Sequence, residues 1–344
     1  MTRLFLCGPL AQIVSGQPHH VQGYALPDDT GCFPLPVERE GAVLNGVISD
    51  REGLDLLQEA LGGKAQALPD GVVIHVAHDK PGDWNEDNWV GDWGQIAPLA
   101  VTEALGYAGQ LDAPTLARRM PMILARAGAE VAAQLSVPTD VRSAQTHDSV
   151  AIETQDTPHK GFFLTRTYQL RHPRFDGTTS DVLPREVFVG TDATIVLPYD
   201  PARDRVLLVE QFRMGPFGRG DVHPWVLEPV AGRIDAGETP EATAFRECQE
   251  EAGLALRGIE HISSHYCSPG ASTEYFHCYL GLCNLPDMEQ GQGGLEAEHE
   301  DIRTHVLPYE AAAALLTSGE ANNGPLVLML IWLKANRSRL RAAA

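Results

Sequence analysis

Residues Gly232–Leu254 read GRIDAGETPEATAFRECQEEAGL, a glycine-rich loop running into an acidic helix. Thr239 can cap that helix and Pro240 is tolerated in its first turn, so the spacing predicts a helix over Pro240–Ala252. Glu247, Glu250 and Glu251 stand at i, i+3 and i+4 and share one helical face. Three carboxylates on one turn repel each other, and a divalent cation among them removes the conflict. Oxygen ligands with retained waters suit Mg²⁺, with Mn²⁺ as the alternative. The glycines let backbone approach metal and phosphates closely, and Arg246 is near enough to orient a carboxylate through a bidentate pair. Taken alone, such a face would be solvated surface; the full spacing makes it a candidate metal site.

Working outward, strands are expected at Phe162–Leu170, Arg185–Val189, Thr194–Pro198, Arg205–Gln211 and Trp225–Val230, with DPARD (200–204) as a hairpin turn. Further strands are expected at His261–Tyr266, Tyr275–Leu282 and Arg303–Pro308, and helices at Tyr309–Thr317 and Pro325–Ala335. Strands broken by a few long helices imply an α+β chain with a mixed-sheet α/β/α sandwich. The polar stretch 136–160 reads as a linker between a first domain, 1–135, and a second, 161–344. In the first domain Leu4–Cys7, Ala42–Ile48 and Val72–Ala77 suit strands, Gly8-Pro9 a turn, and Pro98–Leu105 and Thr115–Leu135 helices. The acidic stretch Asp83–Trp93 holds three of the five tryptophans; it suits a surface loop pinned by aromatics better than a ligand platform.

At 344 residues the chain has length for two domains, and 43% hydrophobic content supports a sizeable core. A net charge of −20 argues against nucleic acid as partner but leaves room for a small phosphorylated ligand. The six cysteines form no CxxC pair, which argues against zinc and suits reduced core thiols. The first apolar run is too short for a signal segment and nothing approaches a membrane span, so a cytoplasmic protein is expected.

With Gly232, Glu238 and the run Arg246-Glu247-Cys248-Gln249-Glu250-Glu251-Ala252-Gly253-Leu254, the segment resembles the Nudix hydrolase signature at every fixed position, with Cys248 where a larger aliphatic is usual. The resemblance implies a Nudix fold. It makes Glu247 and Glu251 the main metal ligands, Glu250 a support for a further metal or water, and the Ala231 carbonyl a member of the metal shell. Pro269, sixteen positions after Gly253 within YCSPGASTE, looks like the marker of ADP-ribose pyrophosphatases. VLLVEQFRMGPF, PWVLEPVAGRIDAGE and GLEAEHEDIRTHVLP strengthen that likeness.

A pyrophosphate bond needs an activated water, and the box carboxylates are occupied by metal, so a separate base is useful. The resembled enzymes supply it from a loop, which gives Glu298 as candidate base and Glu300 as candidate metal ligand, with Glu296 as a lesser substitute. Arg185 and Arg213 are candidates for the phosphates. Glu228 and Glu274 could take ribose hydroxyls or orient those arginines, and Phe163 or Phe162 could stack on adenine. The expected reaction is ADP-ribose plus water giving AMP plus ribose 5-phosphate, by a homodimer as in the resembled enzymes. Two alternatives stay open: a hydrolase of another nucleotide sugar such as GDP-mannose, and a sensor that binds ADP-ribose without cleaving it. LFLCGPL and the segments after it resemble the gamma-glutamylcyclotransferase-like fold. Cys7 and Pro9 depart from its anion-binding loop, and Glu59 and Glu86 are the only stand-ins for its base, so a non-catalytic role is expected. The fused layout resembles the group known by a tellurite-resistance phenotype.

Overall fold

The computed structural model describes residues 2–27, 32–77, 89, 91, 93–135, 137–287, 290–294 and 301–344. The chain forms two compact units, residues 1–140 with 235–237, and 141–234 with 238–344.

In the N-terminal unit five strands, β1 (Leu4–Cys7), β2 (Gln17–Ala25), β3 (Val37–Ser49), β4 (Lys64–Ala67) and β5 (Val73–Val76), form one sheet in the order β2-β3-β1-β5-β4. Only the β1–β5 pairing is parallel. Strand alternation sends Leu4 and Leu6 to one face and Phe5 and Cys7 to the other, and each face has its own core. The first face packs against α2 (Leu54–Ala60), α3 (Ile96–Leu105) and α4 (Ala113–Ala132). Gly8-Pro9, expected as a turn, opens a short helix, α1 (Gly8–Ile13), because proline fits a first helical turn. Of the tryptophan-rich stretch, residues 83–88, 90 and 92 lie outside the described residues; Trp89 is buried and donates to the Cys32 carbonyl at 2.8 Å.

The C-terminal unit carries a mixed sheet, with β9 (Asp192–Asp200), β10 (Arg205–Phe212), β13 (Gly258–Tyr266), β14 (Tyr275–Leu282), β15 (Gln290–Gly293) and β16 (Ile302–Pro308) in the order β13-β14-β9-β10-β16-β15. β9 and β10 pair only at Arg205–Asp200 and Val206–Tyr199 and then part. β11 (Trp225–Glu228) then pairs with β10, and β12 (Val230–Arg233) with β9. Two lips of a slit result, joined by Pro229. A helix covers each face: α6 (Pro240–Ala252) on the Val196, Leu207 and Val209 side, α7 (Tyr309–Ser318) and α8 (Gly324–Ala342) on the Leu197 and Leu208 side. This is the expected α/β/α sandwich. The remaining helix, α5 (Met214–Arg219), is one short turn after β10.

The 136–160 stretch is not wholly a linker. Residues 151–160 form β6, which pairs with β7 (Leu164–Arg171), itself paired with β8 (Leu183–Val189). β6 is almost entirely exposed and has two register shifts, so it carries no apolar alternation and its ladder hydrogen bonds define it. Among the described residues no helix is long and apolar enough to cross a membrane.

Candidate active site

The box helix begins and ends where its caps put it. The Thr239 side chain accepts from Ala242 N at 3.1 Å, Pro240 stands in the first turn, and Gly253 closes the helix at φ 63°. Cys248 is fully buried in the core beneath, which accounts for a small apolar residue there.

Next to Cys248 on the helix, Glu251 and Glu247 meet β12 at two successive residues. The Glu251 carboxylate, 2% exposed as a residue, accepts from Ala231 N at 3.2 Å. Within a strand, the N–H and C=O of one residue point to the same edge. The Ala231 carbonyl therefore faces the Glu251 side and is not consumed by the ladder to β9. The next residue, Gly232, faces α6 where a Cβ would lie 1.8 Å from Glu247 Oε1. Glycine is required there because the Glu247 carboxylate fills the space of a side chain.

Arg246 holds the rest of the acidic face. Its Nε and Nη2 donate to the two oxygens of Glu238, both at 2.9 Å, and Nη1 donates to Glu247 at 2.7 Å and Glu250 at 2.9 Å. The Glu238 hydrogen bonds, with Glu247 and Glu250 nearby, raise its pKa further, so the guanidinium is a permanent counter-charge.

Among the described residues no three His, Cys, Asp or Glu side chains converge tightly enough to hold an ion alone. The donors nonetheless fit a hard divalent cation: Glu251 is a buried carboxylate, Glu247 sits in a cradle emptied of side chain, and the Ala231 carbonyl points the same way. An ion held by so few protein oxygens keeps several waters, as Mg²⁺ does. Glu296, Glu298 and Glu300 lie outside the described residues.

The structure brings Arg213 and Glu228 together: Nε donates to Oε2 at 2.7 Å across the β10–β11 lip. Among the described residues Glu274 meets no arginine; it accepts from the exposed Cys267 thiol at 3.0 Å, and burial with this carboxylate pushes that thiol up to about 12. Arg185 is exposed and donates to the Pro184 carbonyl at 2.8 Å. The exposed loop carrying Pro269 is tied to the end of β8 by Phe188 N to Ala271 O at 2.9 Å and Thr273 N to Phe188 O at 3.0 Å. Phe163 packs against Phe162 and Phe188 at ring distances of 4.9 and 4.8 Å, and the Arg233 guanidinium lies 5.9 Å from the Phe162 ring. Sequence reasoning missed Glu238 as the main partner of Arg246. They are eight positions apart, with Glu238 ahead of the helix, and no helical spacing signals the contact.

A NUDIX domain model matches residues 190–329. An ADP-ribose pyrophosphatase of Haemophilus influenzae is 37% identical over 200 residues, 57% of this chain and 91% of that protein. The chain belongs to the Nudix family. A protein of the same description from Escherichia coli K12 is 37% identical over 56% of this chain and 92% of its own. A GDP-mannose pyrophosphatase of Citrobacter koseri is 31% identical over 48% and 88%.

Proposed function

We propose that this Nudix hydrolase cleaves the pyrophosphate bond of ADP-ribose with water, giving AMP and ribose 5-phosphate. The observation that carries the reading is the meeting of Glu247 and Glu251 with Gly232 and Ala231. The 37% identity to ADP-ribose pyrophosphatases, against 31% to a GDP-mannose pyrophosphatase, supports this substrate over the other. Glu247, Glu251 and the Ala231 carbonyl would hold Mg²⁺, with Mn²⁺ as substitute, and Glu300 would join them. A bound divalent ion would stabilise charge on the phosphoryl oxygens and acidify a water.

The chain's own residues do the rest. Arg246 keeps the carboxylates oriented, and Arg213, held by Glu228, offers a guanidinium to a phosphate. Glu298 takes the proton from the attacking water. Phe163, in the cluster with Phe162 and Phe188, offers an aromatic face to the adenine. β6–β8 form a small sheet whose outer strands β6 and β8 are mostly exposed, and such a sheet gains stability by covering. A second copy of the chain would give that cover, which is the homodimer this reading expects. Residues 1–140 take no part in the chemistry on this reading. The Cys7 thiol is pushed up to about 12 by burial, and Pro9 has no N–H to give an anion.

Purified protein with Mg²⁺ and ADP-ribose is expected to release AMP. Binding by calorimetry without AMP would instead support the sensor, and a higher kcat/KM for GDP-mannose would reassign the substrate.

A further inference from the structure

On the β10–β11 lip a cavity of about 320 Å³ is lined by Arg213, Arg219, Asp221, Val226, Glu228 and Asn322, together with neighbouring glycine, proline and asparagine. Among the described residues none that line it is aromatic. Glu228 and Ala231 are three residues apart along the chain, so the cavity's edge lies within about 10 Å of the carboxylate cradle. A diphosphate and one sugar ring can bridge that span.

The chemistry of the walls selects which end of a nucleotide sugar enters. A base wants an aromatic face to stack on, and the cavity has none. Sugar hydroxyls want carboxylate acceptors and amides that both give and accept, and Glu228, Asp221 and Asn322 are of that kind. Val226 supplies an apolar strip for the C–H face of a ring. Asn323 is committed to structure: its Nδ2 donates to the Leu227 carbonyl at 2.7 Å and its Oδ1 caps α8 through Leu326 N at 3.0 Å. Asn322 beside it is exposed and makes no hydrogen bond among the described residues. Asp221, in the lining, accepts from His223 N at 3.3 Å and lies 3.6 Å from Arg219.

One further group is the ladder partner of the lining residue Val226 without itself lining the cavity. Gln211 stands opposite Val226 in the β10–β11 ladder, on the face that carries Arg213, and is 7% exposed. Its Nε2 has no partner among the described residues. A buried amide donor left open is costly unless something fills its valence in the working state.

We infer that this cavity receives the non-nucleoside sugar, and that Asp221 and Asn322 determine which sugar is accepted. The inference rests on the hydrolase reading above. It places the base on the other side of the cradle and makes sugar choice separable from base choice.

Three substrates separate the two choices. ADP-ribose and ADP-glucose differ in sugar, and ADP-glucose and GDP-glucose in base. In Asn322→Ala and Asp221→Ala the ADP-ribose to ADP-glucose ratio of kcat/KM is expected to change about tenfold, the worth of one or two hydrogen bonds. The ADP-glucose to GDP-glucose ratio is expected to stay within about twofold. Inhibition of the wild type by ribose 5-phosphate is expected to weaken in Asn322→Ala, whose side chain is on the surface, while inhibition by AMP is unchanged. A changed base ratio, two unchanged ratios, or weakened AMP inhibition would overturn the cavity assignment with the hydrolase intact. A wild type that cleaves none of the three overturns the hydrolase reading, and the assignment with it.

Discussion

Replacing Gly232 with alanine adds one methyl group where the box helix touches the sheet. The new Cβ would lie 1.8 Å from Glu247 Oε1, 1.9 Å from Cδ and 2.5 Å from Cγ. Ordinary contact begins at 3.4 Å, so the carboxylate must retreat by about 1.6 Å. The backbone cannot yield easily, because Gly232 pairs with Thr194 in the ladder to β9. Misplacing a reacting or metal-holding group by about 1 Å costs on the order of 100-fold in rate. Gly232→Ala is therefore expected to lower kcat for ADP-ribose by about 100-fold or more. The stability cost is expected at the low end of the about 1–3 kcal/mol typical of overpacking, since a carboxylate side chain can swing. AMP release under saturating Mg²⁺, with a thermal unfolding scan, separates the two effects. Gly258→Ala is the control, because its Cβ would meet nothing within 4 Å. Full activity in Gly232→Ala would refute the claim that the space beside Gly232 belongs to a working carboxylate.

Glu298→Gln is expected to lose at least about 100-fold in kcat while Mn²⁺ affinity by titration stays near wild type; an unchanged rate would move the base elsewhere. In the N-terminal unit Arg126 is 4% exposed, and its Nε donates to Glu103 at 3.1 Å. Glu103→Ala deprives a buried guanidinium of that carboxylate and is expected to cost about 3–5 kcal/mol in urea unfolding. Asp204 holds α8 to the β9–β10 turn, accepting from Tyr199 at 2.7 Å and Arg337 Nε at 2.9 Å. Burial raises its carboxyl, but the bonds from Arg337 and Tyr199 outweigh burial and leave it below the ordinary 3.8. A depressed folded value means the contribution is complete above pH 3.8 and is lost as pH falls through the lower folded value. Asp204→Asn suits the positive φ of 56° and is expected to lower neutral-pH stability by about 2 kcal/mol and flatten the acid limb of a stability–pH curve.

Where the sequence carries its own boundary signals, it is legible. The Pro240–Ala252 helix has the limits expected from it, because Thr239 and Pro240 start it locally. Tyr275–Leu282 likewise matches, as a strand fixed by its apolar run between turns. The misses are elements held by something other than their own composition. β6 is polar and is defined by pairing with β7; α5, MGPFGR, contains two glycines and a proline and reads as a loop. In the site the three box glutamates share a face as the i, i+3, i+4 spacing implies. The steric meaning of Gly232 is invisible until α6 is laid on β12, since a glycine in a strand has several uses. Arg213 with Glu228 is one of several arrangements that the sequence leaves open, beside Arg185, Glu274 and ribose hydroxyls. Glu274 with Cys267 is not among them, since loop contacts carry no period.

The slit between β9 and β10 divides labour along a single peptide. The metal cradle proposed above would belong to the β9–β12 lip and the proposed sugar cavity to the β10–β11 lip, with Pro229 joining the two strands. Substitutions in the α5 turn or at Asn322 alter one lip without disturbing the ladder that aims Ala231 and Gly232. Such a site can drift toward a new sugar in small steps, each leaving a competent hydrolase, because the part that discriminates is not the part that cuts.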